Sequence, residues 1–166
     1  MEVGGQRAYH HKLHHAVTQA NYTGTVLERF ILARLGDRGY TFIPQARFTP
    51  ARVLGQPIYT RKFHVGQSIY GTEQYCDFIL YHPTRWPDNL IIEAKWQQTG
   101  GSVDEKYPYL ILNINMQYKS PTILLLDGGG YKAGAERWIR SQVGNRNLLH
   151  VFNMREFAAW VNKGNL

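Results

Sequence analysis

The stretch Leu90-Ile91-Ile92-Glu93-Ala94-Lys95-Trp96-Gln97 sets two charges into the middle of an otherwise apolar run. Its β-branched and aromatic content predicts a strand. Strand side chains alternate between faces, so Leu90, Ile92, Ala94 and Trp96 share one side and Ile91, Glu93, Lys95 and Gln97 the other. The first set is apolar and is expected to pack on the core. The second puts an acid, a base and an amide in a row, with successive members about 7 Å apart. Charge at the centre of an apolar strand is costly unless it is paired or coordinated. That cost points to a use.

The preceding strand candidate, Tyr75–Tyr81, carries Asp77. Turn-forming residues between His82 and Asn89 allow the two strands to be neighbours. Two carboxylates, Asp77 and Glu93, with the Ala94 carbonyl between Glu93 and Lys95, then make an oxygen-lined site suited to Mg²⁺. Such an ion polarises a phosphodiester and lowers the pKa of an attacking water. Lys95, at the rim, would orient that water or neutralise developing charge. On spacing alone a structural Glu–Lys pair, with Asp77 in a turn, is the competing reading.

Further out, Leu27, Phe30, Ile31 and Leu35 recur at helical spacing, and Thr25-x-x-Glu28 reads as a capping box. Tyr40–Ile43 reads as a short strand and 44–56 as loop. Ile58–His64 and Ser68–Thr72 read as the two arms of a hairpin. Beyond Gly100-Gly101, Ser102-x-x-Glu105 offers a second capping box, with Pro108 in the first turn of a helix to about Tyr118. Thr122–Leu126 is a buried-strand run, a helix carries Ala135, Trp138 and Ile139, Leu148–Phe152 is a last strand, and Asn153-x-x-Glu156 caps a final helix. Helices alternating with strands make an α/β fold.

The charge is +7, and it is unevenly spread. Residues 1–64 hold nine Lys or Arg against three acids, 65–110 three against six, and 111–166 seven against three. Basic flanks around an acidic centre suit a polyanionic partner, because each Lys or Arg set on a phosphate releases counterions. The hydrophobic share of 43% excludes a disordered chain. No apolar run nears the roughly 20 residues of a membrane span, and Met1 to Gly5 lack the start of a secretory signal. With Cys76 as its one cysteine, the chain is expected to be soluble, without membrane partners, in a reducing cytoplasm. Cys76 itself reads as a buried strand residue. Residues 1–20, with four histidines among His10–His15, read as a polar arm, and 21–166 as one domain.

Three further sets are candidates for nucleic-acid contact. Tyr59, Arg61, Lys62 and His64 alternate with Thr60 and Phe63 in the hairpin. Lys106 follows Asp104-Glu105 after the charged strand, where a helix start explains it equally well. Lys132 follows Gly128-Gly129-Gly130, which a strand-to-helix turn explains better than a phosphate loop, since no Gly-Lys-Ser/Thr ending is present.

Asp77, with Glu93-Ala94-Lys95 sixteen positions on, resembles the PD-(D/E)xK signature of the restriction-endonuclease-like nucleases. The stretches Ile69–Thr72, Glu93–Gln97, Gly101–Pro108 and Asp127–Lys132 extend the likeness to one branch of that superfamily, from about Thr23 to Trp160. The resemblance implies an αβββαβ core with a mixed sheet flanked by helices, extended by a C-terminal strand and helix. It implies metal at Asp77 and Glu93, a catalytic Lys95, Gln97 completing the strand, and Glu28 on the first helix reaching the metal or its waters. The capping-box reading competes for Glu28. Cys76 stands where the signature has proline, a side chain the chemistry does not use. The implied activity is Mg²⁺-dependent DNA endonuclease cleavage, with Mn²⁺ substituting, by a homodimer or higher homo-oligomer. Homing endonuclease, junction resolvase, repair nuclease and a non-catalytic nucleic-acid-binding module are the alternatives.

Overall fold

The structure, a computed structural model, describes residues 26–100 and 104–166. The polar arm of residues 1–20, Thr25 and Ser102 lie outside them. Helix α1 covers 26–37. It is followed by β1 (Thr41–Phe42), α2 (Gln45–Ala51), a 3₁₀ turn at Arg52–Leu54, β2 (Ile58–Gln67), β3 (Glu73–His82) and β4 (Trp86–Trp96). Then come α3 (Lys106–Met116), β5 (Thr122–Asp127), α4 (Ala133–Ser141), β6 (Leu148–Phe152) and α5 (Met154–Asn162).

The six strands lie side by side in chain order. β2, β3 and β4 form an antiparallel meander, while β4–β5 and β5–β6 are parallel, joined through α3 and α4. This is a mixed α/β sheet with helices on both faces. The restriction-endonuclease-like core is present as α1-β2-β3-β4-α3-β5, with β1 and α2 inserted and α4, β6 and α5 appended.

Both faces are apolar because both are covered. Leu27, Ile31 and Leu35 of α1 and Phe157 and Val161 of α5 pack on Phe78, Leu80, Leu90, Ile92, Ile123 and Leu125. Tyr107, Ile111 and Ile114 of α3 and Ile139 of α4 pack on Cys76, Ile79, Ile91, Leu124 and Leu126 on the other. Each such Leu, Ile or Phe stabilises the fold by about 1.5–3 kcal/mol. Strand alternation therefore holds in β4, but the face that carries Glu93 is core as well: Ile91 is 1% exposed and Glu93 2%.

Three local expectations change. Residues 44–56 hold α2 and a 3₁₀ turn rather than loop; two helical turns are too few to show a period, and α2 buries only Phe48, edge-on to Phe63 at 5.4 Å. Ser68–Thr72 is the turn between β2 and β3, closed by Ser68 Oγ and Thr72 Oγ1 at 2.7 Å, not a strand. Helix α3 starts at Lys106 with Glu105 as the residue before it, later than the Ser102 box implies. The Asn153–Glu156 capping box forms as expected, each side chain bonding the other's N–H.

Candidate active site

The β3–β4 ladder ends at Phe78↔Ile92. Past that pair the strands part, and the Asp77 side chain fills the gap by accepting from the Ala94 N–H at 2.9 Å. Along β4, Ile91 and Gln97 donate their N–H groups away from β3, to the Pro121 and Asp127 carbonyls. The even-numbered residues therefore turn theirs toward β3, and the Ala94 carbonyl opens into the same gap.

Lys95 ties the two acids together. Its Nζ lies 3.2 Å from Asp77 Oδ2 and 3.0 Å from Glu93 Oε2. A second ammonium, Lys62 of β2, lies 2.5 Å from Asp77 Oδ1. Lys62 stands opposite Asp77 between the ladder pairs Arg61↔Phe78 and Phe63↔Cys76, with a left-handed φ of 51°. A side chain rarely takes that conformation, and strain of this kind gathers at functional sites. Gln45, at the start of α2, lies beside it: with its side-chain amide turned end for end, the nitrogen would donate to the Lys62 carbonyl (3.1 Å) and the oxygen would accept from the His64 N–H (3.3 Å).

The two carboxylates are driven in opposite directions. Burial works to raise the Asp77 pKa, but Lys95, Lys62 and the Ala94 N–H outweigh it and hold the carboxyl well below the usual range. Burial pushes Glu93 up and the Asp77 charge adds to it, against the pull of Lys95 and of the Tyr118 hydroxyl, which donates to Glu93 Oε1 at 2.6 Å. Burial also disfavours the Lys95 charge, yet Glu93 and Asp77 more than restore it and raise the ammonium above an ordinary lysine. Lys95 is thus a cation here. The Cys76 thiol between these residues and the core is buried and pushed up, first by burial and then by both carboxylates.

Asp77, Glu93 and the Ala94 carbonyl are hard oxygen donors. Among the described residues no three His, Cys, Asp or Glu side chains gather to hold a metal by themselves. A donor set of two carboxylates, completed by waters and substrate oxygens, fits Mg²⁺.

The other candidates fall outside this cluster or at its edge. The Gln97 side chain accepts from Tyr107 Oη (2.6 Å) and donates to the Gly130 and Thr99 carbonyls (3.2 and 3.3 Å), so it clasps the end of β4 to the loop after β5. Glu28 binds Arg61 at 2.5 Å, and Arg61 lies over the Phe78 ring. Tyr59 meets Phe42 edge-on at 5.6 Å, while His64 pairs with Glu73 and lies by the Tyr75 ring. Lys106 and Lys132 are exposed at the starts of α3 and α4. Two of the three glycines before Lys132 serve close packing: a Cβ on Gly128 would lie 2.3 Å from the Gln97 carbonyl oxygen, and one on Gly130 2.3 Å from the Gln98 carbonyl carbon. Sequence reasoning missed Tyr118, Tyr107 and Gln45. For the tyrosines a signal existed, since 107, 111, 114 and 118 follow helical spacing; for Gln45 there was none.

A model of the PD-(D/E)XK nuclease superfamily domain matches residues 19–165 of the chain. No curated protein and no solved structure matches it.

Proposed function

Since the chain belongs to the PD-(D/E)XK nuclease superfamily, we propose that it is a Mg²⁺-dependent DNA endonuclease, with Mn²⁺ able to substitute. The observation that carries the reading is Lys95 bridging Asp77 and Glu93 at 3.2 and 3.0 Å where β3 and β4 part. Asp77, Glu93 and the Ala94 carbonyl would hold the ion. When bound, it supplies Lewis-acid polarisation of the phosphodiester and a water of lowered pKa.

The chain's own residues do the rest. Asp77 stays ionised under three donors. Tyr118 fixes Glu93, whose side chain has little room to turn. Lys95, as an ammonium, neutralises charge that develops on the phosphoryl oxygens, a role that suits a cation better than that of a base. Gln97 acts by position, holding the end of β4 through Tyr107 and Gly130. Glu28 orients Arg61, and Arg61, Lys62, Tyr59 and His64, with Lys106 and Lys132, contact the DNA. With one such site per chain, cutting both strands takes two chains, so the working form is a homodimer or higher oligomer.

A supercoiled-plasmid digest in Mg²⁺, with end mapping, tests the reading. Asp77→Ala and Lys95→Ala are each expected to abolish cleavage and to keep DNA binding. If either variant cuts at the wild-type rate, the roles are misassigned. Comparing duplex, junction and single-stranded substrates separates restriction-type action from homing, resolvase or repair activity. Calorimetry with Mn²⁺ separates all of these from a pure binding module, which would show no ion site dependent on Asp77.

A further inference from the structure

The basic side chains of β2 each hold a carboxylate: Arg61 pairs with Glu28, His64 with Glu73, and Lys62 with Asp77. Of these acids only Asp77 is one the nuclease reading assigns to the ion. Both of its oxygens already have donors. Oδ2 accepts from the Ala94 N–H and from Lys95, and Oδ1 from Lys62 at 2.5 Å. A divalent ion that takes Asp77 as a ligand repels the ammoniums beside it, so one of these donors must give way. The Ala94 N–H is backbone and stays. Lys95 is anchored on Glu93 as well, and its side chain is 37% exposed. Lys62 has Asp77 as its one acidic partner among the described residues, and its side chain is 58% exposed. It also stands out of the β2–β3 ladder, at a φ of 51°. It is the donor that leaves.

We infer that Lys62 is an exchangeable cation that couples the ion to the DNA: the ion displaces its ammonium from Asp77, and the freed ammonium moves onto a phosphate of the substrate. The inference rests on the nuclease reading and deepens it, because it says how the site takes its two ligands in concert. A phosphate alone can also draw Lys62 away, but at the cost of its pair with Asp77. The ion alone meets the same cost. Bound together, the two ligands meet it once, so each tightens the other by the same factor. That factor is the strength of the Lys62–Asp77 pair, about fivefold where one partner is well exposed.

Calorimetry of the full chain with Mn²⁺ and no DNA measures that cost directly. Lys62→Ala is expected to bind Mn²⁺ about fivefold more tightly than the wild-type chain. Lys62→Gly should match it, since glycine takes a left-handed φ without strain and so separates the side chain from its backbone. DNA affinity is then measured with metal chelated and with Ca²⁺, which takes the same oxygen ligands, in a gel assay that also shows the probe intact. Ca²⁺ should tighten DNA binding by the wild-type chain, and the gain should be about fivefold smaller in Lys62→Ala. A fixed cation near the site would also tighten Mn²⁺ binding when removed, yet would leave the gain from Ca²⁺ as it was; that result overturns the exchange. So does a wild-type chain whose DNA affinity ignores Ca²⁺, Mn²⁺ affinity that is unchanged or weaker in Lys62→Ala, or disagreement between the alanine and glycine variants. In each of these cases Mn²⁺ binding that is lost in Asp77→Ala leaves the nuclease reading standing. If no ion binds the wild-type chain or either Lys62 variant, that reading falls and the exchange with it.

Discussion

Glu93 is a carboxylate 2% exposed, with one oxygen on Lys95 and the other on Tyr118. Asp77, on the neighbouring strand, has three donors and some exposure, and is held ionised. Two acids a few ångströms apart thus sit in opposite regimes, one firmly charged and one reluctantly so. Such divided pairs are a mark of sites that do acid–base or metal chemistry. The Tyr118 hydroxyl favours the charged form of Glu93, so removing it leaves the acid easier to protonate and weaker as a ligand. Tyr118→Phe is therefore expected to weaken Mn²⁺ binding about tenfold, in line with a lost hydrogen bond to a charged group. Calorimetry reads this directly, with circular dichroism to confirm the fold. Unchanged Mn²⁺ affinity would mean that Tyr118 only packs.

At the scale of elements, the join between β4 and β5 depends on backbones in near contact. Gln97 donates its N–H to Asp127 and accepts from the Gly130 N–H at 2.7 Å, while Asp127 accepts from Gly128 and from Met154 at the start of α5. Gly130→Ala would drive a Cβ into the Gln98–Thr99 backbone, and is expected to cost about 2 kcal/mol or more. Gly134→Ala, in α4 with nothing within 4 Å, should instead stabilise by a few tenths to about 1 kcal/mol. Thermal melts of the two variants should move in opposite directions, and a fall in both would undo the contrast. These elements also show what the sequence could tell. β3, β4 and β5 were legible because long apolar runs bounded by turn residues leave few alternatives, and Asn153–Glu156 because a capping box is local. The adjacency of Glu93 and Lys95 followed from strand alternation alone. α2 was not legible, since its one anchor, Phe48, makes no pattern. Nor was the Tyr118–Glu93 bond, which joins positions 25 apart through the packing of α3's end on β4. The left-handed Lys62 was not legible either, since no local signal in the sequence foretells it.

For the whole molecule, the net +7 is organised around its acids. The acid-rich middle segment folds into β3, β4 and the start of α3, and the basic segments supply the strands and helices on either side. Arg61 and Lys62 bring the first of those flanks to the gap itself, each already paired with a carboxylate of the fold. A polyanion approaching this face meets cations first and carboxylates last, which suits a phosphate delivered to Asp77 and Glu93. Affinity gained this way comes from counterion release, so it must fall with salt. If about four phosphates are neutralised, raising monovalent salt from about 50 to 200 mM should weaken DNA binding about 10²-fold. Lys62→Ala should flatten that dependence by about one counterion, because it removes one cation from the approach. A log–log plot of affinity against salt with metal chelated measures both slopes. A flat line for the wild-type chain would show that its charge is a solvated surface and that the basic flanks do not gather DNA.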